Sequence, residues 1–147
     1  MLSRTFLWPQ GYTSAAMISV NLDAEFYGRI FYPGIDVSEG DIQRLGWTGM
    51  EYGLPHLLDC FREHGVKGTF FIPGRVAELY PDAVRAIADA GHELGCHGYE
   101  HEILAHFTPE EQLELLKKAK AAIEKAAGRA VTGFRMPEGE ITERTLV

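Results

Sequence analysis

The sequence predicts an α/β fold in which parallel strands alternate with helices, as part of a (β/α) barrel. Apolar, strand-like runs alternate with amphipathic helical segments through the chain, and polar side chains follow several of the strands. A length of 147 residues, with 46% hydrophobic and 24% charged residues, is typical of one soluble globular domain. We therefore expect a single domain over residues 1–147 with about four parallel strands.

The first predicted strand is the apolar run 15–23, which ends in Asp23. Such a run is typical of a buried parallel strand that delivers a polar side chain at its carboxyl end. Residues 24–49 contain several glycines and aromatic residues and show neither helical nor strand periodicity. A long loop is predicted there, and loops of this length in compact domains are usually functional or disordered.

The next helix and strand are predicted within residues 51–72. Apolar residues at positions 54, 57, 58 and 61 mark one helical face in the segment 51–64, and Gly65 suits a left-handed cap. The second strand is residues 66–72, which Pro73 and Gly74 end.

A helix over 75–91 follows, and we expect Pro81 to interrupt it. The third strand is 92–96, immediately before the sequence HGYEH at 97–101.

The longest predicted helix starts after Thr108, with Pro109 at its first position and Glu111 completing a capping box. It ends at Gly128, and the fourth strand is 130–134. Thr142 is predicted to cap a further helix. The polar candidates follow strands one, three and four, and ligands bind at the carboxyl ends of parallel strands.

The charge of the chain argues against nucleic acid as a partner. The net charge is −7, from 14 basic and 21 acidic residues, and the basic residues are scattered. No apolar run approaches the roughly 20 residues that span a bilayer, and the first 16 residues lack a continuous hydrophobic leader. We expect no membrane partner and a cytoplasmic location.

His97 and His101 stand four residues apart, and Asp23 ends a neighbouring strand. Two imidazoles and one carboxylate are a ligand set for zinc or a similar divalent ion, with positions left for water and substrate. The His spacing alone leaves metal ligation and ordinary structural histidines equally open. Because the three residues would face the same rim of the barrel, a common metal site is favoured over separate structural roles.

Three motifs in order resemble the polysaccharide deacetylase family, carbohydrate esterase family four, in its peptidoglycan-deacetylase-like branch. They are VNLDAE at 20–25, HGYEH at 97–101 and RMPEG at 135–139, and the stretch GTFFI at 68–72 also resembles the family's second strand. The resemblance covers residues 15–147. It implies a hydrolase of non-peptide C–N bonds that removes N-acetyl groups from a carbohydrate such as peptidoglycan or a chitin-like sugar.

The resemblance also implies roles for individual residues. Asp23, His97 and His101 would bind one divalent metal, zinc by preference, with cobalt or nickel as alternatives. Arg135 would orient the catalytic base, and backbone N–H groups near Tyr99 would help to hold the oxyanion. The cation would polarise the acetyl carbonyl and acidify a bound water, whose proton a carboxylate would take.

The chain departs from the family at the position of the base, where Asn21 stands in place of an aspartate. An amide cannot accept a proton at neutral pH, so the base is missing or moved. Glu25, two residues beyond Asp23, is a candidate replacement. A water-positioning role for Asn21 is the other possibility.

The family's later motifs would lie beyond Val147, so the sequence is expected to be the first half of a barrel truncated before closure. Four strands cannot close a barrel, so the open edge would belong to missing sequence, be covered by another copy in a homo-oligomer, or be left exposed.

Three alternatives stay open from the sequence. The first is a metal-independent hydrolase of cyclic amides or ureides, such as allantoin, on the same fold. The second is a non-catalytic module that binds metal or sugar. The third concerns the fold, which would be an open flavodoxin-like sheet, although no strand-to-helix turn has a phosphate-binding glycine-rich loop.

Overall fold

The computed structural model describes residues 8–27, 38–139 and 143, which form a parallel sheet covered by helices. The four strands are β1 (Ser19–Asn21), β2 (Thr69–Ile72), β3 (Glu93–Cys96) and β4 (Gly133–Phe134). All neighbours are parallel, and the spatial order β1-β2-β3-β4 follows the sequence. A doubly wound sheet reverses its strand order, whereas a barrel does not. The partial-barrel prediction is confirmed, and the flavodoxin-like alternative is wrong.

Among the described residues, five α-helices pack around this sheet. They are α1 (Glu39–Thr48), α2 (Leu54–Glu63), α3 (Gly74–Leu79), α4 (Pro81–Asp89) and α5 (Pro109–Ala127). A π-helical turn, Gly49–Gly53, joins α1 to α2, and 3-10 turns lie at Ala24–Phe26, Leu104–His106 and Pro137–Gly139. None of the helices in the described ranges combines the length and the apolar composition of a membrane span.

The predicted helix ends are confirmed where their capping signals are strong. The Thr108 hydroxyl accepts from Glu111 N at 3.3 Å, and the Glu111 carboxylate accepts from Thr108 N at 2.8 Å. Gly128 ends α5 with a φ of 69°, the left-handed conformation that glycine adopts without strain. Pro81 separates α3 from α4, as predicted, because it begins a new helix. The helix predicted after Thr142 lies outside the described residues.

The prediction of a loop over 24–49 is wrong, because α1 and a 3-10 turn occupy much of that segment. Ser38 caps α1 by accepting from Asp41 N at 3.1 Å. Gly46 suggests a turn in the sequence, but it lies inside the helix. There it allows the helix to pack closely on a neighbouring segment. A Cβ there would lie 2.4 Å from Glu25 N, so α1 presses directly on the chain that follows Asp23. Residues 28–37 of the segment lie outside the described residues.

The strands are shorter than predicted, but their carboxyl ends are aligned. Leu22 N donates to Phe71 O, and His97 N donates to Ile72 O, both at 2.9 Å, which extends the ladders past the ends of the strands. Arg135 N makes the same kind of bond, at 2.9 Å, to Cys96 O. The segments that follow β1, β3 and β4 therefore leave the sheet at one common rim.

The hydrophobic core lies between the sheet and the helices. Phe70 and Ile72 of β2 are fully buried, together with residues from α3, α4 and α5, namely Val76, Val84, Ile87, Ala119 and Ile123. Side chains alternate along a strand, so Phe71 faces the opposite side of the sheet. That opposite face, which also bears Asn21 in register with Phe71, is the inner face of the barrel.

Gly74 fixes the distance between α3 and α5, and this contact gives a first prediction. A Cβ at Gly74 would lie 2.5 Å from Ala119 Cα and 2.8 Å from Tyr99 Cδ2. Because the nearest atom is backbone, the two helices must separate, and Gly74→Ala is expected to lower the free energy of unfolding by about 3 kcal/mol. Urea denaturation followed by circular dichroism measures this loss.

Gly53→Ala is the matched control for that experiment. Gly53 has helical φ and ψ of −65° and −49°, and no atom lies within 4 Å of the added Cβ. Alanine should therefore stabilise the protein by up to about 1 kcal/mol. Equal unfolding midpoints for Gly74→Ala and the unmodified protein would contradict the described packing of α3 on α5.

Candidate metal centre

Three buried side chains converge at the common rim of the sheet. Asp23 follows β1, and His97 and His101 follow β3. One ligand atom from each lies within 4.8 Å of the others. The Nε2 atom of His97 is 3.7 Å from Asp23 Oδ1, and the Nε2 atom of His101 is 3.8 Å from Asp23 Oδ2. Ligand atoms bound at about 2.0–2.1 Å to a tetrahedral zinc stand about 3.4 Å apart, so the two His–Asp separations need to shorten by a few tenths of an ångström around a zinc ion.

Two of these ligand atoms lack a hydrogen-bond partner among the described residues. Asp23 Oδ1 and His97 Nε2 are both buried and face each other across the cluster. A buried polar atom without a partner costs free energy, which a cation between the two atoms would recover. The donor set of one carboxylate and two imidazoles therefore fits a divalent metal.

The electrostatics of the cluster leave both imidazoles neutral near pH 7. Burial lowers the pKa of His97 to about 4, and burial also lowers the pKa of His101. Burial, together with the negative charge of Glu138, raises the pKa of Asp23 to about 6. Above that pH the site offers two neutral nitrogen donors and one carboxylate, the protonation states that bind metal.

Backbone strain is concentrated at this site. Among the described residues, the non-glycine residues with positive φ are Ala24 at 47°, His101 at 61° and Glu138 at 59°. Ala24 directly follows Asp23, and the other two lie in the HGYEH and RMPEG segments. Left-handed backbone costs free energy for these residue types, and such strain is typically stored at functional sites.

The loop from His97 to His101 is held by backbone contacts on two sides. Gly74 N and Arg75 N, at the start of α3, donate to Gly98 O at 3.0 Å and Tyr99 O at 2.8 Å. The Glu102 carboxylate accepts from Tyr99 N at 2.8 and 3.1 Å. These bonds fix the loop that carries both histidines.

These contacts bear on the predicted role of Tyr99. Because its backbone N–H donates to Glu102, an oxyanion could use that group only after Glu102 moved. The Tyr99 hydroxyl donates to Glu78 at 3.1 Å, and the Lys118 ammonium lies 3.7 Å from the centre of the Tyr99 ring. The contacts of Tyr99 in the structure are with the loop and with neighbouring side chains. Its catalytic role stays a prediction.

Arg135 and Asn21 are brought together on the inner face of the barrel. Arg135 Nη1 donates to Asn21 Oδ1 at 2.8 Å, and Nη2 donates to Ser19 Oγ at 2.7 Å. The guanidinium also stacks over the Phe71 ring, 4.0 Å from its centre. Arg135 thus holds the side chain of Asn21, the residue that stands where the resemblance predicts the base.

Glu25 is not brought into the three-residue cluster. Its carboxylate accepts a hydrogen bond from the Tyr80 hydroxyl at 3.2 Å. It lines a cavity of about 680 Å³ with Trp47, Arg75 and Glu100, and none of the three candidate ligands lines that cavity. The geometry gives no support to Glu25 as a replacement base.

Glu138, to which the sequence pattern assigns no role, lies beside the cluster. Its Oε1 atom is 3.8 Å from His101 Nδ1, and its charge contributes to the raised pKa of Asp23. Glu138 lies inside the RMPEG motif, and its carboxylate was the one feature of the sequence that could have indicated a role at the site.

Comparison with known proteins supports one family. The model of the polysaccharide deacetylase family matches residues 46–147. A peptidoglycan deacetylase of Helicobacter pylori is 37% identical over 114 residues, which cover 78% of this chain and 38% of that protein. This chain therefore spans well under half the length of that relative.

Solved structures agree in fold. A Mycobacterium smegmatis protein described as a candidate polysaccharide deacetylase superposes with a TM-score of 0.82 at 32% identity, over 96% of this chain and 49% of that one. A pseudoenzyme of carbohydrate esterase family four from Bacillus anthracis gives a TM-score of 0.62 at 33% identity, over 65% of this chain and 34% of that one. A mutant of that pseudoenzyme is described as having restored enzymatic activity.

Proposed function

The chain belongs to the polysaccharide deacetylase family, and on that basis we propose that it forms the metal-binding part of a hydrolase that removes N-acetyl groups from a carbohydrate. Peptidoglycan is the substrate class we favour, because the Helicobacter pylori relative is a peptidoglycan deacetylase. The cytoplasmic location and the homo-oligomer expected from the sequence stay predictions.

The observation that carries the proposal is the convergence of Asp23, His97 and His101, with ligand atoms within 4.8 Å of one another. These residues would hold one divalent cation, zinc by preference. A cation bound there would supply Lewis acidity to the acetyl carbonyl and to an attacking water.

The surrounding side chains would hold the ligands and the water in place. His97 Nδ1 lies 2.8 Å from Arg135 O, which can only accept a hydrogen bond, so Nδ1 bears the proton and Nε2 offers its lone pair. Arg135 holds the Asn21 side chain at the rim, where the amide can orient a water. Asn21 cannot take the water's proton, so this part of the chain supplies no evident base.

The proposal is tested by metal content and acetate release from the purified protein. We expect about one equivalent of zinc, cobalt or nickel per chain, and acetate release from N-acetylglucosamine oligomers or peptidoglycan that depends on the cation. Allantoin and cyclic imides serve as parallel substrates. Cation-independent hydrolysis of those compounds, without acetate release, would instead support the metal-independent alternative and overturn the proposal.

Asn21 favours a second candidate function, in which the site binds cation and sugar without turnover. The amide stands where the family has its base, and a structural relative is described as a pseudoenzyme. Cation and sugar binding without acetate release would support this reading.

Asn21→Asp discriminates between the two functions. The aspartate would accept the existing bond from Arg135 and would supply a proton acceptor two residues before Asp23. If the base is what the site lacks, the substitution should raise acetate release by about 100-fold or more, in the range of general-base catalysis. Unchanged or lower activity, measured with zinc binding intact, would show that Asn21 does not limit the reaction.

A further inference from the structure

The two histidines of the cluster differ in how their outward nitrogens are held. The outward Nδ1 of His97 lies 2.8 Å from the carbonyl oxygen of Arg135, which fixes the ring and its tautomer. A metal-binding histidine usually needs such an acceptor, because the proton must stay on the nitrogen that does not face the ion. His97 has this acceptor from the backbone of β4's continuation.

His101 Nδ1 makes no hydrogen bond of normal geometry to a backbone carbonyl among the described residues. Its Nε2 atom faces Asp23 at 3.8 Å, and its buried Nδ1 atom makes no hydrogen bond to any described residue. The Oε1 atom of Glu138 lies 3.8 Å from that Nδ1 atom, on the side of the ring away from Asp23. The ring is therefore bracketed by two carboxylates, one at each nitrogen.

The backbone around Glu138 directs its side chain inward. Pro137 is buried, and Glu138 takes a left-handed φ of 59° with a ψ of −1°. Its side chain is 14% exposed, which is low for a glutamate. Left-handed backbone at a residue other than glycine or asparagine costs free energy, so a compensating role for the side chain is indicated.

The nearby Glu102 does not compete for this role. Its two carboxylate oxygens accept from the backbone N–H groups of Tyr99 and Glu100. Those bonds define the loop that precedes His101, and they commit Glu102 to the backbone.

We propose that Glu138 is the positioning residue for His101, accepting a hydrogen bond from Nδ1–H and so presenting Nε2 to the cation. This inference rests on the proposed metal function of the same cluster. The two atoms need to approach by about 0.8 Å to reach a normal hydrogen-bond length, which a small side-chain rotation provides. The negative charge also makes the imidazole a better donor to a cation.

Glu138→Gly tests the proposal without adding strain. Glycine adopts a positive φ freely, so relief of the backbone strain should offset part of the loss of the Glu138 side-chain contacts, and the metal-free variant should remain folded. Zinc affinity, measured by competition with a chelator, should fall by about 10–100-fold, the range for loss of an outer partner of a metal ligand. The zinc affinity of Glu138→Gln should lie between that of the unmodified protein and that of Glu138→Gly, since the amide oxygen still accepts a hydrogen bond but bears no charge.

Long-range ¹H–¹⁵N NMR of the imidazoles gives a readout that a merely structural role would not change. In the metal-free protein, His101 should bear its proton on Nδ1, and Glu138→Gly should give a mixture of tautomers. Glu63→Gln, an exposed glutamate at the end of α2, is the matched control and should change neither measurement.

The outcomes separate this inference from the proposed function. If the unmodified protein binds no cation, the proposed function fails, whereas the His101 tautomer in the metal-free protein still decides the role of Glu138. If Glu138→Gly binds zinc as tightly as the unmodified protein and leaves the His101 tautomer unchanged, Glu138 does not position His101.

Discussion

Replacing His97 with alanine is expected to weaken zinc binding by on the order of 1000-fold and to abolish cation-dependent acetate release. The imidazole is buried, its Nε2 atom lies 3.7 Å from Asp23 Oδ1, and it supplies one of three candidate protein ligands. Loss of one ligand removes a large share of the binding free energy of a site with this few donors. Isothermal titration of zinc into the metal-free protein, with chelator competition for the tight sites, measures the change.

Two further variants keep this result interpretable. His97→Ala also leaves Arg135 O without its donor and creates a cavity, so His97→Gln, which preserves most of the bulk, should be measured beside it. His56→Ala removes an exposed histidine from α2 and should leave zinc binding unchanged. If both His97 variants bind zinc as tightly as the unmodified protein, His97 is not a ligand of the site.

The second large effect is expected from Asp23→Asn, which should stabilise the metal-free protein while preventing its stabilisation by zinc. Asp23 is buried, and its pKa is raised from 3.8 to about 6. A raised carboxyl pKa means that the folded state favours the protonated acid. The ionised form therefore costs stability at neutral pH, a cost that the isosteric amide avoids.

The pH dependence follows from the same shift. Below pH 3.8 the acid is protonated in both the folded and unfolded states, so Asp23→Asn should change stability little there. The advantage of the variant should grow as pH rises to about 6 and then stay constant, at about 1–3 kcal/mol. Urea denaturation in the presence of a chelator, at pH 4, 5, 6 and 8, measures the profile.

Asp59→Asn is the control for charge removal alone. Asp59 is exposed and pairs with Arg62 one helical turn away at 2.9 Å, so its loss should change stability by less than about 0.5 kcal/mol. Zinc should raise the melting temperature of this control and of the unmodified protein, but not that of Asp23→Asn. A metal-free Asp23→Asn protein that is less stable at pH 8 than the unmodified protein would contradict the burial argument.

The fold was predictable where local chemistry and periodicity agree. The capping box at Thr108 and Glu111, the left-handed Gly128 and the new helix start at Pro81 are short-range signals, and each is present in the structure. The helix within residues 24–49 was not predictable, because a glycine inside a helix resembles a turn in the sequence. Gly46 serves close packing on the backbone of Glu25, and only tertiary structure reveals that reason.

The candidate site was predictable in its identity but not in its surroundings. Motif order placed Asp23, His97 and His101 at one rim, since parallel strands deliver their carboxyl ends together. The position of Glu138 depends on a left-handed backbone at a non-glycine residue, which no sequence periodicity signals. The bond between Tyr80 and Glu25 joins residues far apart in sequence, and it directs Glu25 away from the role that its position suggested.

Diffraction from zinc-loaded crystals, collected on both sides of the zinc absorption edge, locates the ion and its ligands. We expect one anomalous peak, bonded at about 2.0–2.2 Å to a carboxylate oxygen of Asp23 and to the Nε2 atoms of His97 and His101. A zinc ion bound elsewhere, or no ion at this cluster in crystals grown with excess zinc, would contradict this expectation.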